Sequence, residues 1–370
     1  MKRIIVSVTN DLVTDQRVHK ICTTLFKNNF DVLLIGRKLK NSSSISKEYK
    51  VFRFKLLFRK GFLFYAEYNI RLFFKLFFLK KDILLANDLD TLLPNFLISS
   101  IFKKKLVYDS HELFTEVPEL INRPFQQNFW LKIEQFIFPK LKNVYTVNEE
   151  IAKIYCNKYN VNVQVIRNLA PVLSNLIINK TLAESIKGKS KMIILQGSGI
   201  NIDRGAEEAV EMMKYLNGFI LYIIGSGDVI KTLKSNVIHM NLTDFVFFKD
   251  KMPYESLMEY TKIADLGLSL DKNTNLNYTL SLPNKIFDYI QAGTPILASN
   301  TKNVSHLITR TNIGKVIDSH NPIILAKAVE NIFSNETQYN TWRKNLKDVS
   351  KELNWENESK KLIEIFKNIE

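Results

Sequence analysis

Apolar residues along the chain gather in short runs that alternate with amphipathic stretches. "RIIVSVTN" reads as a strand, and "DQRVHKICTTLFKNN" has helical spacing with Asp15 near its start. "FDVLLIGR", "KDILLAND", "KLVYDSH" and "NVYTVN" are further strand-like runs, each ending in polar residues and each separated from the next by helix-like stretches. Strands alternating with helices predict a parallel α/β sheet. Such sheets bind ligands beyond the carboxyl ends of their strands. The residues after each run are therefore the first places to look for chemistry: Asn10 and Asp11, Gly36 and Arg37, Asn87 and Asp88, His111 and Glu112, and Asn148.

The second half repeats the pattern. "KMIILQGSG", "FILYIIGSGD", "ADLGLSL", "TPILAS" and the weaker "GKVID" read as strands, with "RGAEEAVEMMKYL" as an intervening helix. The stretch from about 170 to 188 shows no long periodic run and is the expected boundary. The expected architecture is α/β: two Rossmann-like, doubly wound parallel-sheet domains, 1–170 and 188–353, facing a central cleft. One helix stands apart. "GFLFYAEYNIRLFFKLFFLKK" carries a single polar stripe, Glu67, Arg71 and Lys75, on a surface otherwise rich in Phe and Tyr. Its charges argue against a membrane span. It fits either a core helix with one solvated edge or a helix lying in an anionic membrane interface.

Two cysteines, Cys22 and Cys156, both sit in helical apolar patterns and read as reduced thiols. "MKRIIVSVTN" lacks the features of a signal peptide, so a cytoplasmic location, peripheral at the inner face of the membrane, is expected. The formal net charge is +15, which favours an anionic partner. Lys-rich coding explains part of that charge.

Two loops carry candidate chemistry. In "QGSGINIDRG", Gly197, Ser198 and Gly199 permit close backbone approach, and Arg204 and Gly205 open a helix. A helix N-terminus beside a guanidinium suits a diphosphate. In "SLPNKIFDYIQAGTPILAS", Pro283 presets a turn and Asn284 or Lys285 begins a helix. Asp288 follows about one turn later, placed to receive vicinal ribose hydroxyls while Lys285 meets the diphosphate. The plain alternative is a helix whose acid serves its own dipole.

Taken with "TNDLVTDQRVHKICTTL", "LLANDLDTLLPN", "YDSHELFTEVPEL" and "IIGSGD", these loops make the chain resemble a retaining glycosyltransferase of the GT-B fold, in glycosyltransferase family 4. The pieces span nearly the whole chain in the family's order. The resemblance implies transfer of a sugar from a UDP- or GDP-linked donor, with no metal and no other cofactor. It implies donor binding in the second domain, acceptor binding in the first, and a C-terminal helix (354–370) that returns to the first. The family's basic residue before Gly falls on Arg204, its sugar-contacting His on His111, and the second of its paired acids on Asp288. Two positions depart from the pattern. Ser198 stands where a further Arg is often found, and Leu280 stands where the first paired acid would be.

His111, Arg204 and Lys285 are thus the expected catalytic groups. Gly197, Ser198, Gly205, Gly225, Leu282, Pro283, Asn284 and Asp288 complete the donor site. Asn10, Arg17, Asp88, Glu112 and Glu116 are the acceptor-side candidates, with Asp109 and Glu112 placed to orient His111. The Asp88–Leu89–Asp90 triplet reads as an acceptor-side loop or helix cap rather than a metal site. The expected partners are a nucleotide sugar, a glycan or lipid-linked acceptor of surface polysaccharide assembly, and an anionic membrane surface. Two rivals remain: a non-hydrolysing nucleotide-sugar epimerase of the same fold, and a basic nucleic-acid-binding protein, although no nucleic-acid motif is present.

Overall fold

The computed structural model describes every residue except 14, 41, 174, 175, 177 and 370. The chain divides into two compact units, Met1–Asn168 with Glu358–Glu370, and Leu169–Asn357.

The first unit holds strands β1 (Arg3–Asp11), β2 (Asp31–Arg37), β3 (Lys50–Phe54), β4 (Ile83–Asn87), β5 (Lys105–Ser110), β6 (Asn143–Thr146) and β7 (Val163–Val165). They form one sheet in the order 3-2-1-4-5-6-7, and every neighbouring pair is parallel. Its helices are α1 (Gln16–Lys27), α2 (Gly61–Phe78), α3 (Leu89–Phe102), α4 (Pro118–Ile121), α5 (Pro124–Ile137) and α6 (Glu149–Tyr159). Helices cover both faces of such a sheet, which is why Ile4, Ile5, Val6 and Val8 of β1 are all buried rather than alternating with exposed residues. Asp15 caps α1 by accepting the Val18 amide at 3.0 Å.

Helix α2 packs on the core, but its polar stripe is not the solvated edge expected. Phe64, Tyr68, Leu72 and Leu76 face the core, and Tyr68 Oη donates to the Val8 carbonyl at 2.7 Å. The stripe Glu67, Arg71 and Lys75 is spent on the protein. Glu67 accepts the Leu57 and Phe58 amides and pairs with Arg71 at 2.7 Å, and Lys75 lies 4.1 Å over the Phe52 ring. The side of α2 left to solvent is apolar.

The second unit holds α7 (Lys180–Lys187), β8 (Lys191–Gly197), α8 (Ala206–Met212), β9 (Phe219–Gly225), α9 (Ile230–His239), β10 (Val246–Lys249), α10 (Tyr254–Ile263) and β11 (Leu266–Ser269). It continues through α11 (Leu276–Leu280), α12 (Asn284–Ala292), β12 (Ile296–Ser299), α13 (Lys302–Thr311), β13 (Gly314–Ile317), α14 (Pro322–Ser334) and α15 (Glu336–Glu352). Its sheet runs 10-9-8-11-12-13, again all parallel. Alternate residues of β8 serve two cores: Ile193 and Leu195 pack toward α8, α9 and α14, while Met192 and Ile194 pack toward α12 and α13. The stretch 180–187, which shows no long period, is the helix α7. Eight residues are too few to display one, yet Leu182, Ala183 and Ile186 pack against the second core.

The last helix, α16 (Trp355–Lys367), spans the second passage between units. On it, Glu358 receives the Arg167 amide at 2.9 Å, Nε at 3.2 Å and Nη2 at 2.9 Å. Among the described residues, no helix is long and apolar enough to cross a membrane.

Candidate functional site

Each sheet reverses its strand order at one place: β1 next to β4 in the first unit, β8 next to β11 in the second. The chain leaves two neighbouring strands in opposite directions there, opening a crevice at their carboxyl ends. The candidate residues collect at these two places, each described within its own unit.

In the second unit the centre is Asp271, two residues beyond β11. It is buried, and its two oxygens are shared between two cations: Arg204 Nη1 lies 2.8 Å from Oδ1 and Lys285 Nζ lies 3.2 Å from Oδ2. Burial alone would raise the Asp271 pKa, but Lys285 and then Arg204 hold it below the ordinary carboxylate value. Lys285 is itself held below the usual lysine value, by burial and by the nearby Arg204, with Asp271 opposing. Arg204 also stacks its guanidinium 4.1 Å over the Tyr278 ring, and its Nε is buried with no acceptor among the described residues. Two positive charges held by one negative charge leave a net cationic spot built from three separate segments.

The glycines explain how these segments approach. Gly205 sits at φ 73°, and a Cβ there would come within 2.4 Å of the Leu270 carbonyl oxygen, so only glycine lets the Arg204 turn pass beside Asp271. Gly225 sits at φ 137°, and a Cβ would lie 1.8 Å from the Gly197 carbonyl oxygen. The two loops then interlock: Ser226 N donates to Gly197 O at 3.2 Å and Ile200 N to Ser226 O at 2.9 Å. Ser198 is exposed at the tip.

Pro283 forms the N-cap of α12, with Leu282 and Lys285 half-buried around it and Asn284 exposed. Asp288 is already engaged. Its Oδ2 accepts Gln196 Nε2 at 3.0 Å and its Oδ1 accepts Tyr254 Oη at 2.9 Å, while Thr261 Oγ1 holds Gln196 Oε1 at 2.7 Å. Leu280, at the position of the missing acid, is buried at the end of α11.

In the first unit the centre is His111. Its Nδ1 lies 3.0 Å from Asp88 Oδ2 and its Nε2 3.1 Å from Asp109 Oδ2, and its amide donates to Asp88 Oδ1 at 2.9 Å. Burial alone would lower the imidazole pKa; Asp88 and then Asp109 overcome this and hold it well above the ordinary histidine value. Asp88 has φ 58° and ψ 167°, a region that only glycine visits readily. The ties to His111 keep it there, at a strain of roughly 1–3 kcal/mol.

Arg17, expected on the acceptor side, is instead buried beneath this cluster. Nε and Nη2 donate to Asp109 at 3.0 and 2.6 Å and Nη1 to the Ile166 carbonyl at 3.1 Å, so it fixes Asp109 rather than reaching a ligand. Asp90 is also turned inward, accepting Thr9 Oγ1 at 2.5 Å; burial and then Asp88 push its pKa up to about 7. Asn10 is exposed at the end of β1 and donates to Asp15 at 2.9 Å. Glu112 and Glu116 are half-buried near His111 in sequence, and the Glu112 carbonyl accepts Ser110 Oγ at 2.8 Å.

Asp271, Tyr254 and Gln196 were not singled out from the sequence. The signal for Asp271 was its place just past "ADLGLSL", the kind of strand end that marked the other candidates.

Residues 179–349 match the family model described as glycosyl transferases group 1. No curated protein matches the chain in sequence. Solved structures match its whole length at low identity. Sucrose-phosphate synthase from Thermosynechococcus elongatus is 16% identical, with 100% of this chain and 99% of that one covered and a TM-score of 0.81. Anabaena HepE in complex with UDP-glucose is 11% identical, covered 100% on both sides, with a TM-score of 0.76. WaaG, a glycosyltransferase involved in lipopolysaccharide biosynthesis, is 12% identical, covered 98% and 99%, with a TM-score of 0.71. At such identities the likeness establishes the fold, and the two parallel-sheet units are those of GT-B. The chain thus has the GT-B fold over its full length, and within it residues 179–349 are similar to the glycosyl transferases group 1.

Proposed function

We infer that the protein transfers a sugar, with retention of anomeric configuration, from a nucleoside diphosphate sugar to a glycan or lipid-linked acceptor. The observation that carries this reading is the cation pair gathered on Asp271 at the switch point of the second sheet. A diphosphate is the ligand that matches it: two adjacent anionic groups against Arg204 and Lys285, with the unpartnered Arg204 Nε as a further donor. The HepE structure holds a ligand of this class, UDP-glucose.

In this reading the anomeric C–O bond breaks and the diphosphate departs with the electron pair. Arg204 and Lys285 neutralise the charge as it develops, and their positions are set beforehand by Asp271, so little reorganisation is needed. The departing phosphate takes the proton of the incoming acceptor hydroxyl, which attacks the same face. Asp288 receives the ribose hydroxyls from the position in which Gln196 and Tyr254 hold it. In the first unit, Asp88 accepts a hydrogen bond from an acceptor hydroxyl, and His111 fixes its direction. Assembly of a surface polysaccharide is the proposed setting, supported by analogy with WaaG.

The test is proton NMR of nucleotide sugars incubated with candidate acceptors. The expected product is a glycoside whose anomeric coupling matches that of the donor, formed equally well in excess EDTA. Isomerisation of the donor sugar without any acceptor would establish an epimerase instead. Loss of turnover in EDTA with rescue by manganese would overturn the metal-free reading and return attention to Asp88 and Asp90.

A further inference from the structure

Helices α2, α3 and α5 pack beside one another in the first unit. Their outer edges meet through aromatic rings: Phe77 with Phe102 at 5.2 Å, Phe62 with Phe129 at 5.6 Å, and Phe96 with Phe136 at 6.1 Å. The solvent side of α2 is apolar, and exposed apolar residues continue on α3 and α5, on α5 beside Gln126, Asn128, Lys132 and Gln135. On α2, Ile70, Phe74 and Phe78 are 59%, 57% and 82% exposed and fall four residues apart on one stripe; Ile101 on α3 and Phe125 and Phe136 on α5 are also more than half exposed. Scattered exposed apolar residues are ordinary, but contiguous ones on three packed helices mark a contact surface.

The charges around it are mainly positive, with Asp82, paired to Lys104 at 3.8 Å, and Glu119 as the exposed acids nearby. The three helices contain only three acids, and none faces outward. Glu67 is spent on the Leu57 and Phe58 amides and Arg71, Asp90 is buried on Thr9, and Glu134 is buried with Lys158 and Tyr159. Lys80 and Lys103 lie exposed just past the ends of α2 and α3, Lys132 is exposed on α5, and Lys140 follows α5 with its ammonium 3.2 Å from the Phe136 ring centroid.

We propose that the outer faces of α2, α3 and α5 form a docking surface for an anionic lipid bilayer. Aromatic and aliphatic side chains enter the boundary between headgroups and acyl chains, while the lysines at the rim meet lipid phosphates. A second copy of the chain fits less well. A two-fold contact through this face would bring the same lysine-rich rim, in which Asp82 offsets only Lys104, against itself. The proposal does not depend on the chemistry inferred for the second unit.

The experiment is vesicle flotation of the full chain with phosphatidylcholine alone and with phosphatidylcholine mixed with phosphatidylglycerol, at low and high salt. Two triple variants accompany the wild type: Ile70→Ser/Phe74→Ser/Phe78→Ser, and Lys80→Glu/Lys103→Glu/Lys140→Glu. All six positions are exposed, and the thermal midpoint of each variant confirms folding. The expected result is binding to the phosphatidylglycerol vesicles only, released by salt and weakened about a hundredfold in each variant. Equal partition of wild type and variants, or no partition of the wild type, would overturn the proposal. So would a concentration-dependent dimer in sedimentation that the Ser variant abolishes, which would make the occupant a second copy.

Discussion

Lys285 Nζ lies 3.2 Å from Asp271 Oδ2, and the other oxygen of the same carboxylate is taken by Arg204. A buried ion pair broken on one side leaves an uncompensated charge, at about 3–5 kcal/mol. Asp271→Asn therefore lowers the melting temperature of the free protein. Pyrophosphate, as a replacement anion, raises the melting temperature of this variant more than that of the wild type. Equal shifts in both proteins would show that the anion does not meet the Asp271 cations.

Asp88 and Asp109 hold the His111 imidazole charged. A histidine raised in the folded state adds stability that is full below its unfolded value of about 6.5 and is lost as pH rises through the folded value. Asp88→Asn removes the larger of the two opposing charges. The His111 titration followed by NMR then moves to lower pH, and the loss of stability above about pH 6.5 becomes smaller and is complete at a lower pH. An unmoved titration would mean that Asp88 does not set the charge of His111.

Asp90 has the opposite consequence. It is raised to about 7 in the fold by burial and then by Asp88. An unfolded aspartate loses its proton near pH 4, roughly. The folded state therefore holds the extra proton, and its stability falls as pH rises from about 4 to about 7. Asp90→Asn keeps the shape and removes that penalty. The variant is expected to melt at higher temperature than wild type at pH 8 and at nearly the same temperature at pH 4. A variant that is less stable at pH 8 would show that the Asp90 carboxylate is stabilising when ionised.

For Asp288, the bonds from Gln196 and Tyr254 separate two readings. If it receives ribose hydroxyls, Asp288→Asn weakens nucleoside diphosphate binding about tenfold to a hundredfold, while the 2′,3′-dideoxy analogue binds wild type and variant alike. If its role ends with its protein partners, stability falls and both ligands bind as before. Calorimetric titration of the two ligands into both proteins distinguishes these outcomes.

Much of this was legible in the sequence wherever a residue's role follows from its local run. The strands showed as apolar segments, and Arg204, Lys285 and His111 stood out as basic residues just past strand ends or at helix starts. Roles set by distant partners were not legible. Arg17 reads as an acceptor-side residue, yet it is buried because Asp109, 92 residues away, receives it. Asp271 looks like a loop acid until Arg204, 67 residues away, is placed beside it. The stripe on α2 showed its period but not its direction, because that was decided by the Leu57 and Phe58 amides and the Phe52 ring.

The most direct test of the donor site is calorimetric titration of UDP, GDP and their monophosphates into wild type, Arg204→Ala and Lys285→Ala. One of the two diphosphates is expected to bind wild type at least about tenfold more tightly than its monophosphate, the scale of one charge-assisted contact. Each variant is expected to lose that margin while retaining the weaker monophosphate binding. Diphosphate and monophosphate binding equally to wild type, or diphosphate binding undiminished in both folded variants, would contradict a diphosphate held by the cations of Asp271.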